Sequence, residues 1–104
     1  MIRKKRSDRS YLIYQYTNTL TEEFYIGVTV IREQSIAKTL KIRTRQHVFR
    51  SLKKSFDRTL DDQIREYGPE VFEMSVLEKV RGRKNAHARE RELTKEMSAS
   101  LNTL

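Results

Sequence analysis

Two hydrophobic runs separated by a polar segment occupy the first third of the chain, a pattern typical of paired strands. Tyr11–Tyr16 is rich in aromatic and β-branched residues, which suit a pleated strand, and Phe24–Val30 has the same character. The polar segment Thr17–Glu23 between them predicts an antiparallel hairpin. Gly27 inside the second strand predicts a bulge or a close approach of the backbone.

A helical period follows these two runs from residue 35 onward. Ser35 is suited to cap a helix that we expect to extend to Phe56. Apolar residues recur at multiples of four along it, with Phe49 beside them: Ile36, Leu40, Val48, Leu52 and Phe56. The other faces are basic, which suits a helix lying near a phosphate backbone, and they carry Lys38, Lys41, Arg45, Arg50, Lys53 and Lys54.

The next segment predicts a short helix followed by a third strand. Thr59–Asp62 has the form of a capping box, and Leu60, Ile64 and Tyr67 give the helix an apolar side. Gly68 followed by Pro69 predicts its end. Val71–Val80 then alternates, with one side made of Phe72, Met74 and Val76.

A basic turn, Arg81–Lys84, leads into the last predicted helix. Asn85 is its expected cap, the helix extends to about Ser98, and Ala86, Leu93 and Met97 share one face. The predicted order is therefore β-β-α-α-β-α. This order corresponds to a small α/β (α+β) domain with a three-stranded antiparallel sheet flanked by helices.

Length and charge narrow the classes of function. The chain has 104 residues, which fits one domain over 11–104 preceded by a basic N-terminal arm, 1–10. The arm is either a solvated tail or a segment that contacts phosphates, and its cations are Arg3, Lys4, Lys5, Arg6 and Arg9. The formal net charge is +8 and the sequence pI about 10.0, which favour a polyanionic partner: nucleic acid first, an anionic membrane surface second.

Cysteine is absent, which excludes disulfides, cysteine-ligated zinc and thiol catalysis. Apolar runs all fall short of the roughly 20 residues that cross a bilayer, and the basic N-terminus is not followed by the apolar region of a signal peptide. We therefore expect a soluble cytoplasmic protein without a membrane partner.

Polar residues interrupt two of the predicted apolar stripes. Arg43 and His47 are four apart and continue the Ile36–Leu40 stripe, where polar groups are costly unless they are paired or functional. The alternative is an arginine whose stem covers the helix edge beside a hydrogen-bonded histidine.

Glu90 interrupts the face that Ala86 and Leu93 begin, and is either an ion-pair partner or a metal ligand. Glu92 is its rival, although it points away from that face, and His87 is expected at the surface with no chemical role.

Tyr14 and Tyr25 occupy similar positions of the paired strands, so their hydroxyls are expected near each other. They are either ordinary strand aromatics or part of a site. A phenol with a pKa of about 10 is a poor base, but a neighbouring cation or metal-bound water makes it usable.

Several segments, taken together, resemble the GIY-YIG nuclease family. Leu12–Tyr14 and Tyr25–Gly27 are similar to its two-part signature, with Leu12 where the family usually has glycine. Asn18, the Arg43–His47 pair, Ala86–Glu90 and Asn102 match further family positions in the same order. Ile64–Phe72 resembles a segment of phage-borne, homing-type members. The matches cover Tyr11 to Asn102, although the stretch from Gly27 to Arg43 is longer than in compact members.

The resemblance implies a metal-dependent DNA endonuclease of phage or mobile-element origin, as a stand-alone catalytic domain in a bacterial or phage-infected cell. It implies one Mg²⁺ or Mn²⁺ held chiefly by Glu90. Tyr14 or Tyr25 would activate water, Arg43 would steady the phosphate charge, and His47 would orient or deprotonate a tyrosine or contact the phosphate. Gly27, Asn18 and Asn102 would be structural.

Other interpretations remain at this stage. Leu12 and the long segment before Arg43 motivate a non-catalytic DNA- or RNA-binding domain with the same fold. A ribosome-associated basic protein fits the charge alone, and RNA is an alternative substrate. For a nuclease without an appended DNA-binding domain, targeting would come from a partner protein, from a homodimer or from loose preference.

Overall fold

A computed structural model describes residues 9–32, 35–53 and 59–102. Its elements follow the predicted order and form an α+β fold: β1 (Ser10–Asn18), β2 (Phe24–Ile31), α1 (Ile36–Ser51), α2 (Thr59–Tyr67), a 3₁₀ turn (Pro69–Val71), β3 (Phe72–Arg81) and α3 (Arg83–Glu96). The predicted fold class is thereby confirmed. Four cations of the arm, Lys54 and Phe56 lie outside the described residues; the four are Arg3, Lys4, Lys5 and Arg6.

The three strands form one antiparallel sheet in the order β2-β1-β3, so β1 is central. Leu12 and Ile13 point to opposite faces of β1 and are both fully buried, as a strand covered on both sides requires. Asn18 closes the β1–β2 hairpin, because its Oδ1 accepts from the N–H groups of Leu20 (3.0 Å) and Thr21 (3.3 Å).

Asn102 covers part of the free edge of β2. Its Oδ1 accepts from the backbone N–H of Ile26 at 2.9 Å, and its Nδ2 donates to the Ile26 carbonyl at 2.8 Å. The side chain thus pairs with one residue as a neighbouring strand would, which protects an otherwise open strand edge.

Each face of the sheet carries its own core. On one face Tyr14, Tyr16 and Phe72 pack with Leu60 and Ile64 of α2. On the other face a smaller core contains Ile13, Ile26, Leu93 and Ala99. The helices α1 and α2 therefore cover one face, and α3 covers the other.

The predicted apolar face of α1 is correct only in part, because Leu40 packs against the core and other members of the stripe do not. Ile36, Phe49 and Leu52 are 43%, 60% and 74% exposed, whereas Thr39 and His47 are buried. Hydrophobicity alone therefore does not predict which face of α1 is buried. Thr39 can be buried because its hydroxyl donates to the Ser35 carbonyl at 3.0 Å, which satisfies the polar group within the helix.

The limits of α1 agree in part with the prediction. Ser35 caps the helix by accepting from the Lys38 N–H at 3.1 Å, as expected. The helix ends at Ser51, with Leu52 at its C-cap, so it is shorter than predicted.

A bulge in β3 changes which side chains face which core. Ile13 pairs with Glu78 and Tyr14 with Val76, so Leu77 is an extra residue. Phe72 and Met74 lie in the core beneath α1 and α2, as predicted, and Val76 is 39% exposed. Beyond the bulge Val80 packs in the core beneath α3, since the extra residue reverses the alternation.

The prediction that Asn85 caps the last helix is wrong. Gly82 has φ 91°, a conformation that favours glycine, and its N–H donates to the Arg9 carbonyl at 2.8 Å. The chain therefore turns from β3 into α3 at Gly82, and Asn85 is the third residue of the helix. The predicted end of α2 at Gly68 is confirmed by its N–H donating to the Ile64 carbonyl at 2.9 Å. No helix within the described ranges is both long and apolar enough to cross a membrane.

Candidate active site

Tyr14 is the centre of a buried polar cluster between β1 and α1. Its hydroxyl lies 2.6 Å from Nε2 of His47, and Nε of Arg43 donates to the same hydroxyl at 2.9 Å. Arg43 and His47 are one helical turn apart, so both side chains leave the same face of α1 toward β1. The sequence anomaly on α1 is therefore a hydrogen-bonded pair that holds one phenol.

Aromatic rings fix the position of the His47 imidazole. It stacks on Tyr16, with ring centroids 5.4 Å apart and planes 16° apart. Tyr25 contacts it edge-on at 5.3 Å, and Tyr14 does so at 5.7 Å. His47 is fully buried, so its orientation is set by this packing and by the hydrogen bond to Tyr14.

The Tyr14 phenol stays protonated at neutral pH. Burial raises its pKa far above the ordinary value of 10.0, and the nearby Arg43 guanidinium opposes that increase without cancelling it. A free phenolate is therefore a high-energy species here. The hydroxyl can still accept a proton while passing its own proton to His47, because its oxygen has two lone pairs.

Gly27 provides the space that the Tyr14 ring occupies. The two residues are direct partners across β1 and β2. A Cβ at Gly27 would overlap the Tyr14 hydroxyl and ring, and would lie 2.7 Å from Cε1 of Tyr25. The close approach that the sequence suggested for Gly27 is thus a contact with the candidate catalytic phenol.

Tyr25 lies beside the cluster without joining its hydrogen bonds. Its direct partner across the strands is Tyr16, so Tyr14 and Tyr25 are diagonal neighbours with centroids 6.2 Å apart. Within the described part of the chain the Tyr25 hydroxyl makes no hydrogen bond. The geometry consequently distinguishes two tyrosines that the sequence left equivalent.

Glu90 approaches the cluster from α3. Burial raises the pKa of its carboxyl group, while His87, Arg91 and Arg43 lower it. Its charge in turn raises the pKa of Tyr14, a smaller effect than burial, so the two groups interact electrostatically. Glu92 is different, because it is 59% exposed and accepts from Arg89 at 2.9 Å.

The sequence predicted His87 at the surface, and its side chain is 42% exposed, but its neighbours were not predicted. Its Nδ1 lies 3.7 Å from Oε2 of Glu90, one helical turn away. His87 also lines a groove of about 470 Å³ that Arg43 and Gln46 border from α1. Spacing on α3 was the available signal, since residues three apart are neighbours on a helix.

The remaining predicted residues lie elsewhere. Asn18 and Asn102 hold the hairpin turn and the edge of β2, as described above. Arg45, Arg50 and Lys53 do not line the groove, and Lys53 lies over the Phe49 ring, 4.6 Å from its centroid. Leu12, the departure from the family signature, is fully buried and does not line the groove.

The donor set near Glu90 suits a cation that keeps most of its water. Over the described ranges no group of three or more histidine, cysteine or acidic side chains is placed to enclose a metal ion. A partly buried carboxylate with an imidazole beside it remains. Mg²⁺ is commonly bound through one or two carboxylates with water and phosphate oxygens completing its shell, so the residues fit such an ion.

Of three comparisons with known proteins, the comparison with solved structures gives a match. No family model and no curated protein sequence matches the chain. Among solved structures the chain is similar to a glutamate-to-alanine mutant of the catalytic domain of the intron endonuclease I-TevI, with 26% identity and a TM-score of 0.69. The similarity covers 89% of this chain and 89% of that one. The chain thus has the fold of a GIY-YIG endonuclease catalytic domain.

Proposed function

We propose that this protein is a metal-dependent endonuclease that hydrolyses phosphodiester bonds of DNA. One observation carries the proposal: the Tyr14 hydroxyl is hydrogen-bonded to both Arg43 and His47, under the electrostatic influence of Glu90. The similarity to an intron endonuclease catalytic domain gives this cluster its reaction class.

Tyr14 and His47 act together as the base. A water beside Tyr14 gives its proton to the phenol oxygen while the phenol passes its own proton to Nε2 of His47. The water oxygen forms a bond to phosphorus, and the bond from phosphorus to the leaving oxygen breaks. Because no free phenolate forms, the strongly raised pKa of Tyr14 does not prevent the step.

Arg43 has two functions in this scheme. Its Nε holds the Tyr14 oxygen, and its Nη1 donates to Gln46 at 2.8 Å, so the guanidinium plane is fixed before substrate arrives. Arg43 lines the groove, where its remaining N–H groups would stabilise the extra negative charge on the phosphate. Preorganised donors of this kind contribute about 10²–10³ in rate.

Glu90 would hold Mg²⁺ or Mn²⁺. The bound ion would neutralise charge on the scissile phosphate and its leaving oxygen. Burial makes the Glu90 carboxylate poorly hydrated, which favours its pairing with a cation. His87 lies beside it and limits its side-chain freedom.

The test uses supercoiled plasmid with Mg²⁺, with Mn²⁺ and with EDTA. Conversion to open-circle or linear DNA is expected only with metal, and Glu90→Gln should abolish it. Glu92→Gln is the matched control, because it removes an exposed carboxylate two residues away and should leave cleavage unchanged. Cleavage in EDTA, or cleavage that survives Glu90→Gln, would contradict the proposal.

The alternative is a DNA- or RNA-binding domain that retains the fold without cleavage. The basic groove favours it as much as it favours a nuclease. The buried Leu12 no longer argues for it, since its side chain is part of the core and leaves the groove open. Plasmid that is retarded but intact under every metal condition would favour this alternative.

A further inference from the structure

We propose that the groove along the outer edge of β2 binds a single strand of DNA next to the scissile phosphate, chiefly through Arg9, Arg32 and Arg83. This inference deepens the proposed function, on which it rests, by naming the form of DNA that the site holds. The groove is a different surface from the basic outer face of α1, which the sequence had suggested for DNA.

The first observation is the charge of the groove. Four arginines line it, from the start of β1, the end of β2, the middle of α1 and the start of α3: Arg9, Arg32, Arg43 and Arg83. Among the described residues that line it, none is acidic. Residues distant in sequence thus place four cations around one concave space, which suits a chain of phosphates.

The second observation is that the guanidinium groups of three of these arginines have no carboxylate partner among the described residues. Arg89 and Arg65 pair with Glu78 and Asp62, as exposed arginines often do. Within the described ranges Arg9, Arg32 and Arg83 form no ion pair with a carboxylate. Their guanidinium groups consequently remain available to phosphate oxygens from an outside partner.

The third observation is the size of the groove and the character of its lining. Its volume of about 470 Å³ is in the range of small-ligand pockets, about 300–1,000 Å³, a space that suits a short length of one strand. The lining is mixed, and its apolar part includes Val28 and Val30 of β2 and Ile42 of α1. Sugars and bases of an unpaired strand can cover this apolar part, whereas an isolated phosphate cannot.

The fourth observation is continuity with the cluster at Tyr14. Arg43 binds the Tyr14 hydroxyl and also lines the groove, and His87 lines the groove while lying beside Glu90. A strand held by Arg9 and Arg83 would therefore enter the site through Arg43. DNA with an unpaired segment next to the cleaved bond, such as a fork or flap, should be preferred over an intact duplex.

Fluorescence anisotropy in EDTA tests this without cleavage, using labelled single-stranded DNA, a fork and a blunt duplex. Arg83→Ala and Arg9→Ala should each weaken binding of the single strand and the fork roughly 5- to 10-fold. Each should also reduce the salt slope of log K between about 50 and about 200 mM by about 0.7, the value for one phosphate contact on a single strand.

Arg45→Ala is the matched control, because it removes the same charge from an exposed position on α1 that does not line the groove. Equal losses of affinity in Arg45→Ala and Arg83→Ala would mean that only the net charge matters, and would overturn the proposal. So would a duplex bound as tightly as the fork. Circular dichroism checks folding of each variant, and Arg32→Ala replaces any variant that fails to fold.

The same proteins separate this inference from the proposed nuclease. Groove-dependent binding of the fork without any metal-dependent cleavage would leave the strand site standing and refute the nuclease. Metal-dependent cleavage, with DNA binding by Arg9→Ala and Arg83→Ala both indistinguishable from wild type, would support the nuclease and refute the strand site.

Discussion

At the scale of single residues, the Tyr14 hydroxyl is expected to matter far more than that of Tyr25. Tyr14→Phe removes the atom that joins Arg43 to His47, and general acid–base groups contribute about 10²–10⁴ in rate. Single-turnover cleavage with saturating protein should therefore slow by that factor. Losing a buried hydrogen-bond partner should also cost about 1–3 kcal/mol in the free energy of unfolding, measured with urea.

Tyr25→Phe is the control for that measurement. It removes a phenol oxygen from the same aromatic group without touching a hydrogen bond among the described residues. Its cleavage rate should stay within a few-fold of wild type. A larger loss in Tyr25→Phe than in Tyr14→Phe would assign the base to Tyr25 and refute the relay through His47.

Glu90→Gln is expected to stabilise the fold while abolishing cleavage. Burial raises the pKa of Glu90, so the folded protein favours the protonated carboxyl and is destabilised by the charged one. The variant should therefore unfold at higher urea at pH 7, by about 0.5–2 kcal/mol in the free energy of unfolding. Lowering the pH through the raised pKa protonates wild-type Glu90, so the difference should shrink toward the ordinary glutamate range.

A pH series of urea titrations on both proteins measures this. A difference that grows as the pH falls would mean that Glu90 is stabilised by an ion pair in the folded state, which was the alternative interpretation of the sequence. Loss of folding in Glu90→Gln at neutral pH would have the same meaning.

The sequence identified candidate site residues, but it did not predict which of them contact each other. Arg43, His47 and Glu90 stood out because polar groups interrupted apolar patterns. The choice between Tyr14 and Tyr25 depends on strand register, since Tyr14 faces Gly27 and Tyr25 faces Tyr16. Register is a tertiary property, and a shift of one residue would reverse both side chains.

At the scale of elements, Gly27→Ala tests whether the β1–β2 pair sets the site. The added methyl overlaps the Tyr14 ring, so the ring must shift and its short hydrogen bond to His47 is disturbed. Overpacking of this kind costs about 1–3 kcal/mol, and cleavage should fall with it. In a Tyr14→Phe background the cost should be smaller, because one overlapping atom is gone.

Urea unfolding of the four proteins in this double-mutant cycle gives the coupling energy. Additive effects would show that Gly27 acts through the backbone and not through Tyr14. Retained cleavage in Gly27→Ala would mean that Tyr14 does not need its present position.

Strand positions and element order followed from the sequence, but the faces of α1 and β3 did not. Helix α1 buries His47 and Thr39 and leaves Phe49 exposed, and the hydrogen bond to Tyr14 holds His47 against β1. In β3 the single extra residue Leu77 reverses the alternation. A hydrophobic pattern predicts neither the hydrogen-bond partner of a buried histidine nor the position of a bulge.

At the scale of the whole molecule, the cations divide into two surfaces that the net charge of +8 does not distinguish. The sequence placed DNA on the outer side of α1, at Arg45, Arg50 and Lys53. The fold instead gathers Arg9, Arg32 and Arg83 at the edge of β2. These three come from different elements, so only the folded chain brings them near Arg43.

The number of sites predicts the order of the products. The described part of the chain has one Tyr14–Arg43–His47 cluster, and one such site cuts one strand at a time. Supercoiled plasmid should therefore become open-circle DNA first, and linear DNA should appear only after independent nicks fall close together. The open-circle fraction in a time course, at several protein concentrations, measures this. Linear DNA at the earliest times, with a rate that rises as the square of protein concentration, would show instead that two copies act together on both strands.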